Sequence, residues 1–157
     1  MAYCNQSLCY SSASTGFVNP NGVVKGKDGL YYISSSLRDM IRVMELQKDL
    51  KLKEVHVIHL GMPGDNLSVD SNGDIFFAGF PNLLEVLNAY NDPWHRGFPS
   101  TIWRIRRIGD KLEYEVKKVL EDRDARLIRG ATVVRHDVET GRLFLSGKSI
   151  LPNYSLY

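Results

Sequence analysis

The chain has 157 residues, 43% of them hydrophobic and 24% charged, with a formal net charge of +2. A chain of this size can bury a real core as one domain. Its small charge argues against nucleic acid or an anionic membrane as partner, and no apolar run approaches the ~18 residues of a membrane-spanning helix.

The N-terminus, MAYCNQSLCYSSAS, has neither a basic start nor an apolar stretch, so no signal peptide is legible. The two cysteines, Cys4 and Cys9, are five residues apart. They can close a small loop in an oxidising compartment or remain two free thiols near a frayed end. Their spacing suits neither CxxC redox chemistry nor a zinc site.

Three stretches then share one pattern: NGVVKGKDGLYYISSS (21–36), NLSVDSNGDIFFAG (66–79) and ATVVRHDVETGRLFLSG (131–147). Each is a short apolar strand, a polar turn with glycine, and a second strand ending in small residues. Asp28-Gly29, Asn72-Gly73 and Thr140-Gly141 are hairpin signals, because glycine takes positive φ without steric cost. Two more strands follow each of the first two units: 40–46 and 54–60, then 100–108 and 114–120. Asn21 and Asn66 stand 45 residues apart. Four short strands per repeat of ~40–50 residues is the pattern of propeller blades. The expected fold is therefore all-β, a partial β-propeller of two to three blades occupying residues 1–157 as a single domain, with a last strand possible near the C-terminus.

PNLLEVLNAYNDP (81–93) breaks this pattern. Leu83, Leu84, Val86, Leu87 and Tyr90 fall on helical spacing, and Asn82 with Glu85 three residues on forms a capping box. The spacing predicts one short inserted helix near 82–91, packed on the propeller, with a lid or partner-binding element as the sharper alternative.

First strands line the channel of a propeller, so their starts meet at one mouth. Asn21, Asp65 and Asn66 would bring oxygen donors from two neighbouring blades to one point. Oxygen-only ligation with little charge suits Ca²⁺ better than zinc or copper; Asx turns capping the strands are the plainer reading. His56, His59, His95 and His136 have no nucleophile at a convincing spacing, so no triad is predicted. His56 and His59 read as outer-strand residues, His95 as a loop residue and His136 as part of a hairpin turn. In 103–107, Trp103 and Ile105 share one strand face while Arg104 and Arg106 share the other, an ordinary half-buried alternation. The charged run 117–127 reads as a solvated turn between blades.

Taken together, FVNPNGVV (17–24), IRVMEL (41–46), MPGDNLSVDSNGDIFFAGFPN (62–82), STIWRI (100–105) and RGATVVRHDVETGRLFLSG (129–147) resemble the paraoxonase/arylesterase family in its fungal-type branch. The likeness runs from about Cys4 to Gly147 and falls on the C-terminal half of the family pattern. It implies a six-bladed propeller with a catalytic Ca²⁺ in its channel, hydrolysing lactones and aryl esters, and it places Asn21, Asp65 and Asn66 on three of the calcium ligands. Asp65 would double as the base that activates water. The remaining ligands and a histidine dyad would belong to the N-terminal half, and a shortened form would have impaired activity. Some animal members carry His where this chain has Phe80, and many carry Ser where it has Ala131. Ser155 stands where a ring-closing cysteine is expected. The family leans towards the secretory pathway. Self-association through open propeller edges is a further expectation. Two rival readings are a catalytically silent fragment serving as a binding or assembly module, and a relative of gluconolactonase-like or strictosidine-synthase-like hydrolases.

Overall fold

The computed structural model describes residues 2–4, 8–11, 16–92 and 94–148. Ser155 and any strand near the C-terminus lie outside the described residues.

A hairpin comes first, β1 (Ala2–Cys4) and β2 (Cys9–Ser11), with Cys4 opposite Cys9 and joined to it by a disulfide. Next is a four-stranded antiparallel sheet of β3 (Pro20–Lys25), β4 (Tyr31–Ser35), β5 (Met40–Leu46) and β6 (Leu52–His59), in that order. The second sheet holds β7 (Gly64–Val69), β8 (Ile75–Gly79), β9 (Ser100–Ile108) and β10 (Glu113–Asp122), with helix α1 (Leu83–Asn91) inserted between β8 and β9. β11 (Ala131–Asp137) and β12 (Arg142–Gly147) make a two-stranded third sheet. The hairpin glycines carry the positive φ their turns demand: Gly29 at 82°, Gly73 at 92° and Gly141 at 66°.

These sheets stack face to face with their first strands adjacent. β7 packs against β3 on one side and β11 on the other. That arrangement is one of propeller blades, the expected architecture.

Blade packing explains the composition of β8, IFFAG, buried at every position. Side chains alternate across a strand. Ile75 and Phe77 therefore face the first sheet, where they meet Tyr32, Ile41 and Val43. Phe76 and Ala78 face the third, where they meet Ala131 and Val134. In β9, Ile105 is 1% exposed, while Arg104 and Arg106 both turn to Asp74, as the alternation requires.

Polar groups fasten blade to blade. Ser68 Oγ donates to the Val134 carbonyl at 2.6 Å, and Lys27 donates to the Ser71 carbonyl. The Asp70 carboxylate accepts the backbone N–H groups of Asn72 and Asp74 on one oxygen. Its other oxygen lies 2.8 Å from His136 Nδ1, and the Asp70 side chain is fully buried.

His136 thus differs from expectation. It lies in β11 rather than in a turn, opposite Leu143, with its ring 4.7 Å from that of Phe76. The strand extends through it because β11 pairs with β12 up to Asp137. His56 lies in β6 as expected, but its ring stacks 5.3 Å from Tyr114 of the next sheet. His59 and His95 are exposed, beside Asp39 and Asp92. The charged run 117–127 divides: 117–122 completes β10 because β9 offers partners along its whole length. The turn begins after Asp122, whose carboxylate accepts the N–H groups of Arg126, Leu127 and Ile128.

Removing the Asp70 carboxylate strands two backbone N–H groups and one imidazole. Asp70→Ala should cost about 2–3 kcal/mol of unfolding free energy and His136→Gln, which keeps a donor, about 1 kcal/mol. Urea denaturation curves read both; superimposable curves for wild type and Asp70→Ala would remove the clasp from the account.

Candidate functional site

The starts of β3 and β7 meet because one side chain is missing. A Cβ placed on Gly22 would stand 2.8 Å from the Asp65 carbonyl oxygen and 2.9 Å from Asn66 Cα, contacts that backbone cannot relieve. Glycine at that point lets the two inner strands close on each other. One hydroxyl spans the junction: Ser34 Oγ accepts the Gly22 N–H at 2.9 Å and donates to the Asp65 carbonyl.

Above this junction lies a cavity of about 300 Å³. Asn21 and Asp65 lie in its polar part, with Asn19 and Ser36 beside them. Phe80, Leu83, Val86, Leu87 and Tyr90 form an apolar wall, four of them from α1. Another hollow, of about 330 Å³, lies at the far end of the same strands. Its arginines are already paired, Arg106 to Asp74 and Arg107 to Asp28, and Lys27 reaches the Ser71 carbonyl, so it offers less chemistry.

α1 sits where its capping box predicts. Asn82 Oδ1 accepts the N–H of Leu84 at 3.1 Å and of Glu85 at 3.4 Å, and Asn82 Nδ2 donates to Glu85 Oε1. Val86 and Ala89 bury themselves against Phe80 and Phe98, which anchors the helix. Leu87 and Tyr90 remain more than half exposed at the cavity. The helix is therefore both packed on a blade and a wall of the site. Phe80 packs edge-on to Phe98 at 5.2 Å. Ala131 is fully buried, with its N–H donating to Ser100 Oγ.

Of the three predicted donors, Asn21 and Asp65 share the cavity. Asn66 follows Asp65 in β7, but its Nδ2 donates to the Thr132 carbonyl of the next blade at 3.0 Å. Asn21 Nδ2 donates to Ser36 Oγ at 2.6 Å. Asp65 is 8% exposed. Burial pushes its carboxyl above the usual carboxylate range, opposed only by the Asn21 amide, with no basic side chain contributing. A buried carboxylate with no basic partner, with the side chains of Asn21 and Asn66 nearby, offers the kind of oxygen chemistry a hard cation takes. Among the described residues there is no group of three or more His, Cys, Asp or Glu side chains that could hold a metal; the donors here are one carboxylate and two amides.

Two supporting elements are less visible in the sequence. The apolar wall was legible as helical spacing, but its direction towards Asp65 was not. Ser34 and Ser36 show only as small residues ending the second strand of the first repeat, a signal that marks a close approach without saying to what.

A family model described as Arylesterase matches residues 8–151. Among curated proteins, "Serum paraoxonase/lactonase 3" of Oryctolagus cuniculus is 33% identical over 120 residues, 75% of this chain and 32% of the relative. "Serum paraoxonase/lactonase 3" of Homo sapiens is 37% identical over 95 residues, and "Serum paraoxonase/arylesterase 2" of Rattus norvegicus 39% over the same length, each covering 59% of this chain and 26% of the relative. The match thus spans about a third or less of those relatives.

The raised pKa of Asp65 has a stability consequence. Its folded-state pKa lies above the unfolded value, so the stabilising contribution is full at low pH and is lost as pH rises through the folded pKa. Without added cations at pH 7, Asp65→Asn should therefore melt about 2–4 °C above the wild type. The gap should narrow as pH falls towards the ordinary Asp value of about 3.9, as Asp65 takes up its proton in the folded and then in the unfolded chain. Melting curves from pH 4 to 8 in chelator decide it; a variant less stable than wild type at pH 7 would refute the burial argument.

Proposed function

The chain belongs to the arylesterase family, and from that premise we propose that it contributes part of the active site of a calcium-dependent ester hydrolase acting on lactones and aryl esters. The observation that carries this reading is Asp65: a buried carboxylate without a basic partner, beside the Asn21 amide, at the floor of a cavity with an apolar wall. In this proposal residues 1–157 form one partial propeller domain.

Asn21 and Asp65 would hold the ion with Asn66, whose position next to Asp65 offers a third oxygen. A bound Ca²⁺ would supply Lewis-acid polarisation of the ester carbonyl. The wall of α1 excludes water from one side and takes the apolar part of the substrate. Asp65 has two oxygens, so one can ligate while the other accepts the proton that water loses as its oxygen bonds to the acyl carbon. That proton then passes to the departing alcohol oxygen as the ester C–O bond breaks. Three side-chain oxygens fall short of the six to eight that Ca²⁺ takes; water and other protein oxygens would complete the set, and hydrolysis by this segment alone would be slow.

Calcium at a hundred times its dissociation constant should stabilise the chain by about 2.7 kcal/mol, a rise of roughly 5–10 °C in Tm, reversed by chelator. Asn66→Ala should shrink that rise, and slow phenyl acetate or γ-lactone hydrolysis should disappear with the calcium. An unchanged Tm in millimolar calcium would sink the reading.

A further inference from the structure

Side chains alternate across a strand, so the first sheet has an outer face turned away from the second. Ile33 and Arg42, register partners in β4 and β5, lie on that face, and Phe17 packs over it against Ile33, Met44 and Leu52. A hollow of about 270 Å³ lies there, walled by Phe17, Val18, Ile33 and Met40 and carrying two guanidinium groups, Arg38 and Arg42. We propose that this hollow is a binding site for a small monocarboxylate with an apolar body. It uses none of Asn21, Asp65 or Asn66 and stands apart from the calcium reading.

Arg42 carries the argument. Its side chain is 17% exposed. The Phe17 ring centroid lies 4.0 Å from its Cζ, covering one face of the guanidinium. Guanidinium N–H groups donate in the plane, so stacking leaves the edges for hydrogen bonds. Nε is taken by Glu54 Oε2. Nη1 is buried and has no hydrogen-bond partner among the described residues. A buried donor without an acceptor is costly, and a carboxylate oxygen in the hollow would supply one. Charge points the same way. Arg38 is exposed and makes no hydrogen bond or ion pair among the described residues; the neighbouring Asp39 carboxylate lies by His59 instead. Two guanidinium groups against the single Glu54 carboxylate leave one positive charge, which matches a monocarboxylate better than a phosphate dianion. The apolar walls then take a ring or a short alkyl chain, the usual division of labour in a ligand pocket.

Benzoate and hexanoate are the probes, with benzamide as a neutral mimic of the benzoate shape. In chelator, NMR titration of the full chain with either acid should give saturable amide shifts at Val18, Ile33 and Arg42, with a Kd of about 1 mM or below. Benzamide should bind about 10-fold or more weakly, because it lacks the charge that Arg42 and Arg38 meet. Arg42→Gln should weaken benzoate about 10-fold or more, and Arg38→Gln, at an exposed position, roughly 2–5-fold. Equal affinity for benzoate and benzamide would overturn the proposal and mark an apolar hollow only. So would shifts confined to the surroundings of Asp65, or no saturable shift at millimolar concentrations. The benzamide comparison needs no substitution and decides the matter even where Arg42→Gln fails to fold.

Discussion

The close approach of β3 and β7 at Gly22 is the constraint on which the site depends. Any side chain there would meet the Asp65 carbonyl and the Asn66 backbone at under 3 Å, and the inner strands would have to separate. Separation would pull Ser34 away from one of its two backbone partners. It would also move Asn21 out of reach of Asp65. The carboxylate is thus buried as a consequence of how tightly two blades abut, and its raised pKa follows from the same packing. Stability and chemistry oppose each other at this point: the fold tolerates an ionised side chain that its surroundings disfavour. A bound cation is one physical way to relieve that conflict.

The two ends of the inner strands do different work. At the end holding Asp65, the polar groups are amides, hydroxyls and one carboxylate without a basic partner. Five residues along β3, about 17 Å away at strand rise, the charges are paired off. Arg106 and Asp74, Arg107 and Asp28, and His136 and Asp70 are each within hydrogen-bond reach. Breaking those pairs loosens the blades, whereas changing Asn21 or Asn66 alters the cavity and its borders. Asn66 links the two tasks, because its amide nitrogen ties β7 to the Thr132 carbonyl of the third blade.

α1 shows how an insertion gains a function from its address. Its hydrophobic anchor is small: Val86 and Ala89 against Phe80 and Phe98, with Leu83 alongside. At roughly 25 cal/mol per Å² of apolar surface removed from water, that cluster holds the helix down while leaving Leu84, Leu87 and Tyr90 exposed. Because it follows β8, which ends at Gly79 opposite Gly64 of β7, next to Asp65, the exposed face comes to stand over the carboxylate.

Strand repeats, turn glycines and the capped helix were all legible in the sequence, because each is written in local terms: period-two alternation, positive φ at Gly29, Gly73 and Gly141, and an Asn82–Glu85 box three residues apart. Asp65 and Asn66 stood out too, as polar side chains at a strand start 45 residues after Asn21, though of the two only Asp65 lines the cavity while the Asn66 amide turns to Thr132. What lies between elements was not legible. That His136 would turn inwards to a buried Asp70, that Ser36 would face Asn21, and that α1 would wall the cavity all depend on which blade faces which. Two hydroxyls in a run of three serines look alike in sequence; only the stacking of β3 on β7 sends one to a backbone junction and the other to the rim of a site. Local chain geometry determined the elements, and the long-range packing of blades, which no short window of residues encodes, decided their chemistry.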